Sequence, residues 1–181
     1  MRSSSRTKKE SDEADRAASP RRRAVLPVLI LAVAVLSWLS SRYLFQLMLI
    51  QGESMEPAYH SFQPVLLDHR AAEFGEGDVV AFRSRNVRTL VVKRIAACPG
   101  SNVQIVNGRL LVDGEPSPFF SEKAVYSDPG QAAEELYLPP GQYFVLGDNP
   151  DHSSDSRFEV IGLVDRSDIV GKILPQRTQE E

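Results

Sequence analysis

The sequence predicts a mainly β, antiparallel domain preceded by one N-terminal transmembrane helix. Three observations carry that prediction. Residues 24–41 contain no charged side chain. From residue 62 onward the apolar runs are short, rich in β-branched residues and bounded by Gly, Pro, Asp or Asn, as strands are. Asn107-Gly108 stands between Val103–Val106 and Arg109–Val112. An Asn-Gly pair supplies the two positive-φ residues of a type I′ turn, so a hairpin is expected there.

The 181 residues suit one domain plus an anchor. The net charge of −3 is an average over three unlike regions. Residues 1–23 hold eight Lys/Arg against four acids, a +4 head that reads as a disordered cytoplasmic tail. Residues 24–41, AVLPVLILAVAVLSWLSS, are long enough as a helix, at about 27 Å, to approach the roughly 30 Å of a bilayer core. Pro27 is expected in the first turn and Trp38 near the far interface. Small residues suited to a signal-peptide cut are poorly placed after the run, so an uncleaved anchor is expected. Arg21, Arg22 and Arg23 keep the head in the cytoplasm and put the body outside.

Residues 42–175 make the extracytoplasmic β-rich domain, and 176–181 a polar tail. The body from residue 42 holds 13 bases and 20 acids, which gives no case for nucleic-acid binding. Tyr43–Ile50 reads as a strand or interfacial segment, because extending the membrane helix through it would bury Arg42 in lipid. Strands are expected at 64–67, 78–82, 89–92, 142–146 and 168–170, and a short turn of helix within 130–137.

Cys98 is the sole cysteine, so no intrachain disulfide and no Cys-rich zinc site can form. His60, His69 and His152 make no metal-ligand pair, and no Gly-x-Ser-x-Gly elbow is present. Ser5-Arg6-Thr7-Lys8 matches a Ser-x-x-Lys pattern, but the tail has nothing to bury the lysine. Three places remain for chemistry. Ser54 lies in Gly52-Glu53-Ser54-Met55-Glu56-Pro57, where the chain leaves the membrane surface. Lys93, in Leu90–Ala97, shares a strand face with Val91, Ile95 and Ala97. A lysine so buried is an ion-pair partner, a snorkelling chain, or an amine with its pKa pushed towards neutrality that can serve as a base. Gly147–Arg157 is dense in Asp, Asn and Ser, which either build a structural turn or orient a catalytic group.

Taken together these segments resemble the type I signal peptidases, membrane-bound Ser/Lys endopeptidases. Gly52–Pro57 is similar to the family's nucleophile box, and Gly77–Phe82 to the next. Val92-Lys93-Arg94-Ile95 with Pro99-Gly100 resembles the lysine box. Gly147-Asp148-Asn149 with Ser153 and Asp155-Ser156-Arg157 resembles the last, trailed by Ile169–Lys172. The likeness runs from about residue 24 to 173 in order and spacing. It implies an antiparallel catalytic domain of the signal-peptidase type, with Ser54 as nucleophile and Lys93 as general base. Ser153 would orient the Lys93 amine, and Asp155 with Arg157 would hold the geometry, supported by Gly147, Asp148 and Asn149. Gly52, Ser54 and Met55 would serve the oxyanion and the substrate backbone. The implied partners are a lipid bilayer, the protein-export machinery, and preproteins with small residues at the first and third positions before the cut. No metal or organic cofactor is implied, and the implied location is a single-pass position in a bacterial plasma membrane. Ala58, Ser101, Pro150, His152 and Gly52 depart from the family pattern. They leave an inactive anchored homologue that binds preproteins as the alternative.

Overall fold

The structure is a computed structural model and describes residues 20–84, 86, 89–120 and 124–175. Most of the expected basic tail, with its Ser5–Lys8 motif, and the expected C-terminal tail 176–181 lie outside the described residues.

Among its described residues the first unit carries the α-helix α1, Pro20–Leu44. It runs beyond the expected 24–41 at both ends. Pro20 takes the starting position that Pro27 was expected to occupy, and a starting proline forfeits only an N–H that has no partner in any case. Pro27 therefore lies inside the helix, where it cannot donate to the carbonyl four residues back. The described side chains, Leu26 to Leu39, are exposed, with apolar residues on every side. Among the described residues no helix is long and apolar enough to cross a membrane.

The second unit is built of antiparallel strands, as expected. In chain order they are β1 Phe45–Leu49, β2 Pro64–Asp68, β3 Val79–Arg83, β4 Leu90–Ala97, β5 Asn102–Val106, β6 Arg109–Val112, β7 Glu115–Pro116, β8 Leu136–Tyr137, β9 Gln142–Leu146, β10 Val164–Asp165 and β11 Ile169–Ile173. The larger sheet has the order β1-β2-β11-β3-β4-β9-β10, and the smaller β7-β6-β5-β8. The Asn107-Gly108 hairpin forms with φ of 51° and 77°. Asp113 and Gly114, at 50° and 83°, make a second tight turn into β7. The two-residue strands β7, β8 and β10 were not expected; runs so short leave no alternation to read. Gly130–Ala133 forms the expected short turn as a 3-10 helix.

Two of the three core clusters flank β3 and β4. Val80, Phe82, Ile95 and Val145 lie on one side of the larger sheet, while Val79, Ala81, Val65, Leu67 and Ile173 lie on the other. The third joins the two sheets through Phe144 and Leu146 of β9 with Val103, Ile105 and Leu110. β9 is buried on both faces from Tyr143 to Leu146, so it passes through the centre of the domain. Its end delivers the polar loop after Leu146 into the interior.

Candidate active site

The segment after β1 turns back on itself between Glu53 and Tyr59. Glu56 N donates to Glu53 O (3.1 Å) and Tyr59 N to Met55 O (2.8 Å), and the Glu56–Pro57 bond is cis. Met55 pins this turn. Its side chain is 1% exposed, packed with Ile50, Tyr59 and Val65, so burying it holds the neighbouring Ser54 in place. Gly52 adopts φ of 90°, the left-handed region open to glycine, and its N–H donates to Ser61 Oγ at 3.2 Å. Gly52 itself was expected near the oxyanion or substrate backbone; its amide is engaged by Ser61.

Lys93 projects from β4 into this turn. Val91 and Ile95 lie with Val80 and Phe82 in one cluster, as the strand alternation requires. Ala97, expected on the same face, instead joins the core between the sheets. An irregularity in the β4–β9 pairing between Ile95 and Ala97 breaks the alternation there. Lys93 is 4% exposed, and its Nζ donates to Ser54 Oγ at 2.6 Å. Burial drives its pKa from 10.5 down to about 8, against the opposing pull of the Asp155 and Asp148 carboxylates and with some help from Arg157.

The loop after β9 folds around a second buried charge. Asp155 is fully buried and accepts from Ser153 Oγ (2.7 Å), Gly147 N (3.2 Å), Arg157 N (3.2 Å) and the Arg157 guanidinium (Nε, 2.9 Å). Arg157 is saturated in turn by the carbonyls of Asp128, Pro150 and Ser153. A carboxylate so surrounded has its lone pairs satisfied, which is the condition for burying an ion pair at all. Ser153 was expected on the Lys93 amine; its hydroxyl donates to Asp155 instead, drawn by the full negative charge two residues away.

Gly147 joins the loop to the serine turn. A Cβ there would lie 2.3 Å from Ser153 Oγ and 2.5 Å from Ser54 O, so only glycine fits. Asn149 stitches the same seam, its backbone N donating to Ser54 O and its Nδ2 to Glu53 O, both at 3.1 Å. Asp148 points away to Arg94, which donates Nε to Oδ1 (2.8 Å) and Nη2 to Oδ2 (2.6 Å). This two-pronged bond outweighs the cost of burial and raises the Arg94 pKa.

The sequence assigned Arg94 no role of its own. Its partner lies 54 positions away, beyond any local pattern. Tyr126, which donates from its hydroxyl to Gly147 O (3.0 Å), carried no signal either. His152 is exposed, and Cys98 is half-buried near Phe74 O with its thiol pKa raised by burial. Neither belongs to the site. Among the described residues no cluster of His, Cys, Asp and Glu is arranged to hold a metal.

A cleft of about 490 Å³ opens on Ser54 and Lys93, lined by Met48–Gln51 on one wall and Thr89–Val92 on the other. β9 pairs with β4 only from Arg94 onward, while β3 pairs with Leu90–Arg94 along the opposite edge. The backbone edge of Leu90–Val92 therefore faces the cleft without a partner strand among the described residues.

Residues 22–175 match the family described as signal peptidase, peptidase S26. Signal peptidase I P of Bacillus subtilis subsp. natto is 30% identical over 155 residues, spanning 78% of this chain and 82% of the relative. Signal peptidase IB of Staphylococcus aureus strain Mu50 is 30% identical over 165 residues, spanning 81% and 85%. Among solved structures, a signal peptidase I from Enterococcus faecalis V583 aligns with a TM-score of 0.47 at 28% identity, over 56% of this chain and 97% of that one.

Proposed function

We propose, from the premise that this chain belongs to the signal peptidase, peptidase S26, family, that Ser54 is its nucleophile and Lys93 its general base. Family membership makes the chain a serine endopeptidase of the kind that removes signal peptides from preproteins. The observation that carries the residue assignment is the 2.6 Å contact between Lys93 Nζ and Ser54 Oγ, made by a lysine whose burial lowers its pKa.

With a pKa of about 8, roughly a tenth of the Lys93 amine is neutral at pH 7. The neutral amine accepts the Ser54 hydroxyl proton as Oγ attacks the scissile carbonyl. The backbone N–H of Ser54 donates to the developing oxyanion. The Lys93 ammonium then passes its proton to the leaving amine, and an acyl-enzyme remains. Water, deprotonated by Lys93, attacks the ester; Lys93 returns the proton to Ser54 Oγ, and the signal peptide leaves as a carboxylate. Asp155 and Arg157 do not touch the reacting atoms; they hold Ser153 and the Gly147 loop behind Lys93.

The preprotein enters the cleft extended and pairs its backbone with the open edge of Leu90–Val92, facing Met48–Gln51. In this reading the walls of the cleft receive small residues at the first and third positions before the cut. In this reading helix α1 attaches the chain to the membrane: its described apolar residues, Leu26 to Leu39, are exposed, and lipid covers what water does not tolerate. Leu47, Leu49 and Phe62 are exposed in the domain as well, and they suit the outer face of a bacterial plasma membrane, where the export machinery delivers its substrates.

The test is cleavage of a preprotein by the purified full chain in detergent. Ser54→Ala and Lys93→Ala each abolish it while the melting temperature stays within a few degrees of the wild type, whereas normal cleavage by Lys93→Ala would sink the assignment.

A further inference from the structure

Tyr126 is 1% exposed and belongs to neither sheet. Its backbone N–H donates to Gly108 O at 2.8 Å, which ties it to the β5–β6 turn. Its hydroxyl reaches the other way and donates to Gly147 O at 3.0 Å. The ring is fixed by Phe120, edge-on at 6.1 Å, and by the Arg157 guanidinium, 5.0 Å from the ring centroid. The same stretch grips Arg157 twice more. Asp128 O accepts from Arg157 Nη1 (3.0 Å), and Gln131 N donates to Arg157 O (2.9 Å).

Both peptide groups of Gly147 are therefore held, the N–H by Asp155 and the C=O by Tyr126. Gly147 is also the residue in contact with Ser54 and Ser153 at once, with no room for a single added carbon. Two residues on, Asn149 bonds the carbonyls of Ser54 and Glu53. A rotation of the 147–148 peptide would move Asn149, and with it the turn that presents Ser54 to Lys93.

We propose that Tyr126 is a positioning residue for the Ser54/Lys93 centre, acting through the Gly147 carbonyl to hold the Gly147–Asn149 loop against the serine turn. The proposal rests on the Ser54/Lys93 reading above.

Tyr126→Phe in the full chain removes one oxygen and keeps the ring between Phe120 and Arg157. The turnover rate falls about tenfold with KM within about twofold, the pattern of a lost alignment and not of lost binding. The Lys93 titration, followed through the ¹³Cε resonance of labelled lysine assigned with Lys93→Met, moves up from about 8 by roughly half a unit or more as water reaches the amine. Phe120→Leu loosens the same packing but leaves the hydroxyl bond, so it lowers the melting temperature and moves neither turnover nor titration. Unchanged turnover and titration in Tyr126→Phe overturn the proposal, as does a Phe120→Leu variant that reproduces both effects. Cleavage that survives Ser54→Ala overturns the Ser54/Lys93 reading itself, and the proposal with it. Cleavage lost in Ser54→Ala but normal in Tyr126→Phe overturns the positioning role alone.

Discussion

Replacing Lys93 by methionine should abolish cleavage and stabilise the fold. Methionine keeps the apolar stem and removes the amine. The depression from 10.5 to about 8 is the net of burial and Arg157 against Asp155 and Asp148. At about 1.4 kcal/mol per pH unit it amounts to roughly 3 kcal/mol by which the folded protein disfavours the Lys93 ammonium. The pH dependence follows from proton counting. Below pH 8 both the folded and the unfolded chain carry the proton, and the whole cost is present. Between about 8 and 10.5 the unfolded chain binds a proton that the folded one has released, so stability rises with pH; above 10.5 the cost is gone. Lys93→Met should therefore exceed the wild type by up to about 3 kcal/mol near neutral pH, a large part of an ordinary domain stability, and lose that advantage towards pH 10.5. Urea unfolding of the full chain in detergent, followed by circular dichroism at several pH values, measures the gap. A methionine variant less stable than the wild type at neutral pH, or a gap that does not shrink as pH rises, would refute the reasoning.

Three further outcomes follow from the same geometry. Asp155→Asn leaves the buried Arg157 guanidinium without a counter-charge, so stability falls by about 3–5 kcal/mol in a denaturant titration. In any fraction that stays folded, the loss of the Asp155 charge lets the Lys93 pKa drop further, and the acid limb of the rate profile moves to lower pH. Gly147→Ala forces a methyl against Ser153 Oγ and Ser54 O, and cleavage falls by about a hundredfold or more while the far-ultraviolet circular dichroism stays β-rich. Cys98→Ala, remote from the serine turn, leaves cleavage within about twofold of the wild type and removes labelling by thiol reagents.

The strand pattern was legible where a run was long enough to alternate and had a turn residue at each end. β9 matched its expected limits, and the Asn107-Gly108 hairpin formed with both turn residues at positive φ. β4 runs from Leu90 to Ala97, the stretch whose alternation was read around Lys93, although Lys93 and Arg94 interrupt its apolar run. Both charges are accommodated by partners from elsewhere in the chain, Ser54 and Asp148, which no local window contains.

The sequence by itself determined the ingredients of this protein: a charge-free segment ahead of an antiparallel β domain, a serine in a turn, and a lysine among aliphatic neighbours on a strand. These are consequences of local periodicity and side-chain chemistry. Only the tertiary structure decided how the ingredients meet. It put Lys93 2.6 Å from Ser54, turned Ser153 towards Asp155, gave Gly52 N–H to Ser61, and bridged the β5–β6 turn to Gly147 through Tyr126. Such partners are chosen by which strand ends converge in the core, and by the cost of leaving any buried polar group there without a bond.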